Sequence, residues 1–120
     1  MSGPIARWLE DEWEPVNVAV VGLGYWGPNL VRNLYELSGA EVAWACDLDP
    51  QALAALARRY PSVRRTTSFK EVLEDESVDA VVIATPVSTH HELALAALSA
   101  GKHVLVEKPL AASRGDALEL

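Results

Sequence analysis

Basic residues are scarce in this sequence. Ten Lys and Arg stand against seventeen Asp and Glu, a net charge of −7, so the chain lacks the basic face that nucleic-acid phosphates require. The pairs Arg58/Arg59 and Arg64/Arg65 are its basic clusters, and they read as a solvated helix face and strand edge, with a phosphate site as the alternative. Cysteine is nearly absent. Cys46 alone allows no internal disulfide and suits a reducing, cytoplasmic compartment. With no His or second Cys close to it in sequence, it reads as a small buried packing residue. Long apolar runs are missing too: no segment suits a membrane span, and "MSGPIARWLEDEWEP" lacks the uninterrupted apolar stretch of a signal peptide. What is left is a chain of 120 residues, 50% hydrophobic, large enough for one buried core and one domain.

The chain divides at Val16. Residues 1–15 form an extension in which Trp8 and Trp13 sit among four acids, either an amphipathic arm that docks on this chain or a partner, or a loosely held end. From residue 16 onward, short apolar runs alternate with longer helical patterns. That alternation marks a parallel sheet with helical crossovers, an α/β fold of the doubly wound Rossmann kind with helices on both faces. The predicted strands are Val16–Val21, Glu41–Asp47, Ala80–Ala84, His103–Glu107 and a weaker one at Val63–Thr66, and their apolar runs predict burial on both sides. Three helix starts are marked: Asp49 as a cap before Pro50, and the capping-box spacings Ser68/Glu71 and Thr89/Glu92. Gly39 and Gly101 are predicted to stop the helices before them in the left-handed conformation.

Between the first strand and a helix with apolar Leu30, Val31, Leu34 and Leu37 lies "VVGLGYWGPNL". Its Gly22, Gly24 and Gly27 form G-x-G-x-x-G in the context that motif needs. Gly22 permits a tight turn, Gly24 the close approach of backbone to a pyrophosphate, and Gly27 the contact of helix with strand, while free amides at the helix start face the phosphates. Pro28 falls in the first helical turn, where amides lack intrahelical partners. Tyr25 and Trp26 either pack on the neighbouring loop or border the cleft. The motif alone is a weak signal. The second predicted strand, however, ends in Asp47, about twenty residues past the last glycine, where a carboxylate accepts bonds from both hydroxyls of an adenosine ribose. Its charge opposes the extra phosphate of NADP, and Leu48, Asp49 and Pro50 supply no compensating cation, so NAD is favoured over NADP. The other reading of Asp47 is a loop cap.

Breaks follow the later strands as well, at "ATPVSTHHE" and "VEKPL". Ligands of open parallel sheets bind beyond the carboxyl ends of the strands, so these loops converge with the first two on one crevice.

In order and spacing, "GLGYWGPNLVRNL", "ACDLDP" and "ATPVSTHHELALAALSAGKHVLVEKPL" resemble the glucose-fructose oxidoreductase and inositol dehydrogenase family, Gfo/Idh/MocA. The resemblance covers residues 16–112 and is most specific at E-K-P; "GYWGPNLVRN" looks most like members acting on nucleotide-linked sugars. It implies an NAD-dependent oxidoreductase that moves a hydride between a nicotinamide cofactor and a hydroxyl or keto group of a sugar, nucleotide-sugar or cyclitol. By position, it implies that Gly22, Gly24 and Gly27 hold the pyrophosphate, with Leu23, Tyr25 and Trp26 between them also among the cofactor-binding residues. Asp47 would hold the ribose, and Thr85, Pro86 and His90 would line the groove. Glu107, Lys108 and Pro109 would form a turn near the nicotinamide, with Lys108 as the catalytic residue facing the substrate hydroxyl, an ammonium placed to orient substrate and stabilise oxygen charge. The alternative for Lys108 is a solvated surface residue. The Lys108–Pro109 bond, at a strand-end turn, is a candidate for the cis form.

His90 and His91 sit in a first helical turn, where the helix dipole disfavours positive charge, and neutral imidazoles are predicted. Adjacent side chains diverge and no third ligand is near, so no metal site is predicted. His103 reads as structural or surface. Relatives in the family continue into a second α/β domain with the substrate pocket and proton-transfer group, whereas Ser113–Leu120 looks like the start of a helix. Residues 16–120 are therefore read as the dinucleotide-binding portion of a longer dehydrogenase, inactive by itself, with a sugar-like substrate in the full-length protein. The resemblance also allows a homo-oligomer. A non-catalytic NAD(H)-sensing or subunit-interaction module shares the architecture, and Lys108 separates the two, because a sensor has no need of it.

Overall fold

The computed structural model describes residues 15–24, 27–106 and 118. Expectations placed on the Trp8/Trp13 arm, on Tyr25 and Trp26, on the turn of Glu107, Lys108 and Pro109 with its X-Pro bond, and on the helix start after Ser113 lie outside the described residues. The elements run β1 (Val16–Val21), α1 (Gly27–Glu36), β2 (Ala40–Cys46), α2 (Pro50–Arg59), β3 (Arg64–Thr66), α3 (Phe69–Glu74), β4 (Ala80–Ile83), a 3₁₀ turn (Val87–Thr89), α4 (His90–Ser99) and β5 (His103–Val106). The strands form one parallel sheet in the order β3-β2-β1-β4-β5. The chain winds outward from β1 through β2 to β3, then crosses back to lay β4 against the other side of β1. The junction of β1 and β4 is thus the point where strand order reverses, and in such sheets a crevice opens there. This is the doubly wound Rossmann architecture.

Each face of the sheet buries its own core because strand side chains alternate. Val18 and Val20 of β1 face Leu23, Val31 of α1 and Leu53 and Leu56 of α2. Ala19 and Val21 face the other way, toward Val72 of α3 and Ala94 and Ala97 of α4. All four β1 residues are less than 5% exposed, as two-sided burial of a central parallel strand demands. Register slips once between β1 and β2: Val18 pairs with Val42 but Ala19 with Trp44, which leaves Ala43 as a bulge and delivers the Trp44 indole to the second core. Among the described residues β5 lies at the sheet edge without the predicted two-sided burial: Leu105 is 62% exposed, and Val104 and Val106 pack inward.

Helix starts fall where predicted, by partly different chemistry. Asp49 caps α2, its Oδ1 accepting from Gln51 N at 2.9 Å, with Pro50 as the first helical residue. Ser68 and Thr89 precede α3 and α4 but make no side-chain cap bond. Glu71 instead accepts from the Thr66 hydroxyl at 2.6 Å, and Thr89 has helical φ and ψ because it is the last residue of the 3₁₀ turn. Gly101 stops α4 at φ +80°. Gly39 does not adopt positive φ: α1 ends at Glu36, the connection closes through Leu37 N to Leu34 O and Ala40 N to Leu37 O, and Leu37 is left exposed. Among the described residues no helix is long and apolar enough to cross a membrane.

Candidate functional site

The carboxyl ends of β1, β2 and β4 are tied together before any ligand is considered. Gly22 N donates to the Cys46 carbonyl and Ala84 N to the Val21 carbonyl, both at 2.8 Å. Gly22 turns the chain at φ +97°, and a Cβ there would lie 2.8 Å from Ala84 C and Thr85 N. Only glycine fits on both counts. A Cβ on Gly27 would overlap the Gly22 carbonyl oxygen, so the first turn of α1 closes directly on the glycine turn and not on a strand side chain. Gly24 differs: its Cβ would meet nothing within 4 Å, and the residue is exposed. Among the described residues no atom explains that glycine. Open space beside backbone is what a cradle for a ligand provides.

Asp47 follows β2 and is held on both oxygens. Oδ2 accepts from Leu23 N at 2.6 Å and Oδ1 from Asp49 N at 2.8 Å. The loop-cap reading of this residue is therefore correct in part, since the carboxylate braces the glycine turn against the start of α2. Each oxygen accepts more than one bond, so capacity for two hydroxyl donors remains. Leu23 contributes its backbone amide to this brace and its side chain to the core.

A cleft of about 440 Å³ runs past Gly22, Gly24, Asp47, Thr85 and Pro86. Cys46 forms part of its floor; burial, followed by the Asp47 and Glu71 charges, pushes its thiol up to about 11, so it stays protonated and unreactive at neutral pH. His90 is not on the wall. It is 2% exposed, and its Nε2 donates to the Thr85 carbonyl at 2.8 Å from beneath, which makes it a support for the loop. Residues that the sequence reading missed also border the cleft: Leu48, Thr67, Phe69, Thr89, Glu92 and Leu93. The third parallel strand sends its loop to the same end of the sheet, a signal that would have found Thr67 and Phe69. A larger cleft of about 680 Å³ opens at the opposite, amino ends of the strands, beside Asn17, Asp79 and His103. It is remote from the switch point, and the smaller, more apolar cleft is the better ligand site.

A doubly wound sheet with a glycine turn after its first strand, a braced acid after its second and an apolar cleft across the switch point defines a dinucleotide-binding unit. The particular family is shown by comparison. Residues 16–120 match the GFO_IDH_MocA model, an oxidoreductase family with an NAD-binding Rossmann fold, and the chain belongs to this family. It is 42% identical over 107 residues to inositol 2-dehydrogenase 2 of Paenarthrobacter aurescens, covering 88% of this chain and 32% of that protein. Among solved structures it resembles GenD2 from gentamicin A biosynthesis in complex with NAD (TM-score 0.83, 40% identity, 88% of this chain and 30% of that one). It also resembles myo-inositol dehydrogenase from Lactobacillus casei in complex with NAD(H) and myo-inositol (TM-score 0.83, 30% identity, 88% and 32%). The chain thus spans about a third of the length of these relatives.

Proposed function

We propose that residues 16–120 are the cofactor-binding unit, preceded by an extension over residues 1–15, of an NAD-dependent oxidoreductase acting on a hydroxyl or keto group of a sugar, nucleotide-sugar or cyclitol. The observation that carries the reading is Asp47, a carboxylate fixed by Leu23 N and Asp49 N beside an open glycine cradle. The fit is good: Asp47 retains acceptor capacity for ribose hydroxyls, and the cleft wall at Leu48, Phe69 and Leu93 is apolar enough for a heteroaromatic ring. When bound, NAD supplies the hydride acceptor. The chain's own residues bind and orient it. The Gly24 amide and amides at the start of α1 neutralise phosphate charge, the Gly22 and Leu23 amides being already bound to the Cys46 carbonyl and Asp47. Gly22, Gly24, Thr85 and Pro86 shape the groove, Gly27 packs α1 on the glycine turn, and His90 supports the loop. Lys108, outside the described residues, we assign to orienting the substrate hydroxyl on the strength of the E-K-P resemblance.

The sugar-like substrate is supported by relatives named for inositol, and a cytoplasmic location by a buried free thiol. The NAD preference follows from Asp47, with Leu48 and Asp49 offering no cation for a 2′-phosphate. Calorimetric titration of NAD and NADP tests this. NAD binds more tightly than NADP, and Asp47→Ala weakens NAD by about 1.5–3 kcal/mol, about tenfold or more. Equal affinity for both cofactors in the unsubstituted chain overturns the assignment.

A further inference from the structure

The loop after β4 holds a hydroxyl pair whose protons are fixed by geometry. Thr89 Oγ1 lies 2.6 Å from Thr85 Oγ1 and 2.7 Å from the Pro86 carbonyl oxygen, both hydrogen-bond lengths. A threonine hydroxyl has one proton and two lone pairs, and a carbonyl only accepts. Were Thr89 to donate to Thr85, two oxygens would face each other at 2.7 Å with no proton between them. One arrangement makes both contacts favourable: Thr89 donates to the Pro86 carbonyl, and Thr85 donates to Thr89. The Pro86 carbonyl is further fixed by Thr89 N at 2.9 Å, and the Thr85 carbonyl by His90 Nε2 at 2.8 Å. Thr85 is left with its proton turned inward and its lone pairs on the cleft, which both threonines line.

We propose that the Thr85 hydroxyl is an obligate hydrogen-bond acceptor for a donor on the nicotinamide-ribose half of the dinucleotide, and that Thr89 is the positioning residue that sets this polarity. The inference rests on the dinucleotide reading above. β4 lies beside β1 on the side away from β2, and neighbouring strands are about 4.8 Å apart. With the adenosine ribose at Asp47 and the phosphates at the glycine turn, Thr85 meets what lies beyond the phosphates, where ribose hydroxyls and the carboxamide N–H groups are donors. Phosphate oxygens only accept, so the same lone pairs repel them. The polarity therefore also resists a dinucleotide slipped by one group along the cleft.

The test is calorimetric titration of NAD and of ADP, which has the adenosine and phosphates but no nicotinamide half, on the full chain and on Thr85→Val, Thr89→Val, the double variant, Thr85→Ser and Thr89→Ser. Each single valine variant is expected to weaken NAD about five- to tenfold, the effect of one hydrogen bond, and to leave ADP within about twofold. The double variant is no weaker than the Thr85→Val single, because Thr89 acts through Thr85, and both serine variants bind NAD like the parent. Unchanged NAD affinity in Thr89→Val, or an equal loss for ADP, overturns the positioning role. Failure of the unsubstituted chain to bind either ligand overturns the dinucleotide reading, and this inference with it.

Discussion

The three glycines of the motif have different reasons to be glycine, and substitution separates them. Gly27 closes on the Gly22 carbonyl, which is backbone and cannot rotate away. Gly27→Ala should therefore lower folding stability by about 1–3 kcal/mol, the range for overpacking a tight contact, as read by urea unfolding. Gly24 has no neighbour for a Cβ among the described residues. Gly24→Ala should change stability by no more than about 0.5 kcal/mol, as surface substitutions do, yet weaken NAD where the methyl group meets the ligand. A Gly24→Ala variant that unfolds like Gly27→Ala, or binds NAD like the parent, contradicts this division. At this scale the sequence was legible in identity and less so in role. G-x-G-x-x-G and the acid at Asp47 were readable from spacing, but the bond from Leu23 N to Asp47 joins residues 24 apart in sequence and depends on the pairing of β1 with β2. His90 was placed on the groove wall because the resemblance supplies a position and not a depth.

Among the elements, the strands and helix starts were legible because apolar periodicity and Asx or Pro signals are local. The capping boxes were not, since a member of each found another partner in the loop before its helix: Glu71 took the Thr66 hydroxyl, and Thr89 turned to the Pro86 carbonyl. The turn between α3 and β4 has a local signal in Asp75 and Ser77, but its ties to the rest of the fold are not local. There Asp75 accepts on Oδ1 from Ser77 N and Ser77 Oγ, and on Oδ2 from Trp44 Nε1 and Arg64 Nη2. Its carbonyl takes Lys102 Nζ at 2.7 Å, and that buried ammonium also donates to Val78 O. One turn thereby ties β2, β3 and the start of β5 to the end of α3. The Ser77 hydroxyl, the Trp44 indole and the Ser77 amide, with a lesser contribution from Arg64, hold the Asp75 carboxyl well below its ordinary 3.8. The unfolded chain takes up this proton first as pH falls. The stabilisation is thus complete above about pH 4 and is lost progressively below it. Asp75→Asn should cost about 1 kcal/mol or more near neutral pH, from hydrogen bonds to a charged group, and the difference from the parent should shrink as pH falls below about 4. Urea unfolding at several pH values checks this; a deficit that grows toward acid would show that Asp75 stabilises the turn by some means other than its charge.

For the whole molecule, strand order decided what local patterns could not. The motifs mark loops after β1, β2 and β4, and only the order β3-β2-β1-β4-β5 sets them side by side, with the loop after β3 alongside. A ligand lying across three strand ends joins both halves of the sheet, so its binding energy is felt by the entire fold. A ligand that binds only the folded chain at about one hundred times its Kd adds about 2.7 kcal/mol. For a domain of roughly 100 residues each kcal/mol raises Tm by about 4–8 °C. Saturating NAD should accordingly raise the melting temperature of this chain by roughly 10–20 °C. NADP at the same concentration should raise it by less, because its additional phosphate meets the Asp47 carboxylate, and Asp47→Ala should narrow the gap between the two cofactors. Scanning calorimetry at matched concentrations reads all three. A shift for ADP as large as that for NAD would confine recognition to the adenosine half and leave the Thr85 loop without a ligand. No shift with NAD would show that the cleft does not hold a dinucleotide.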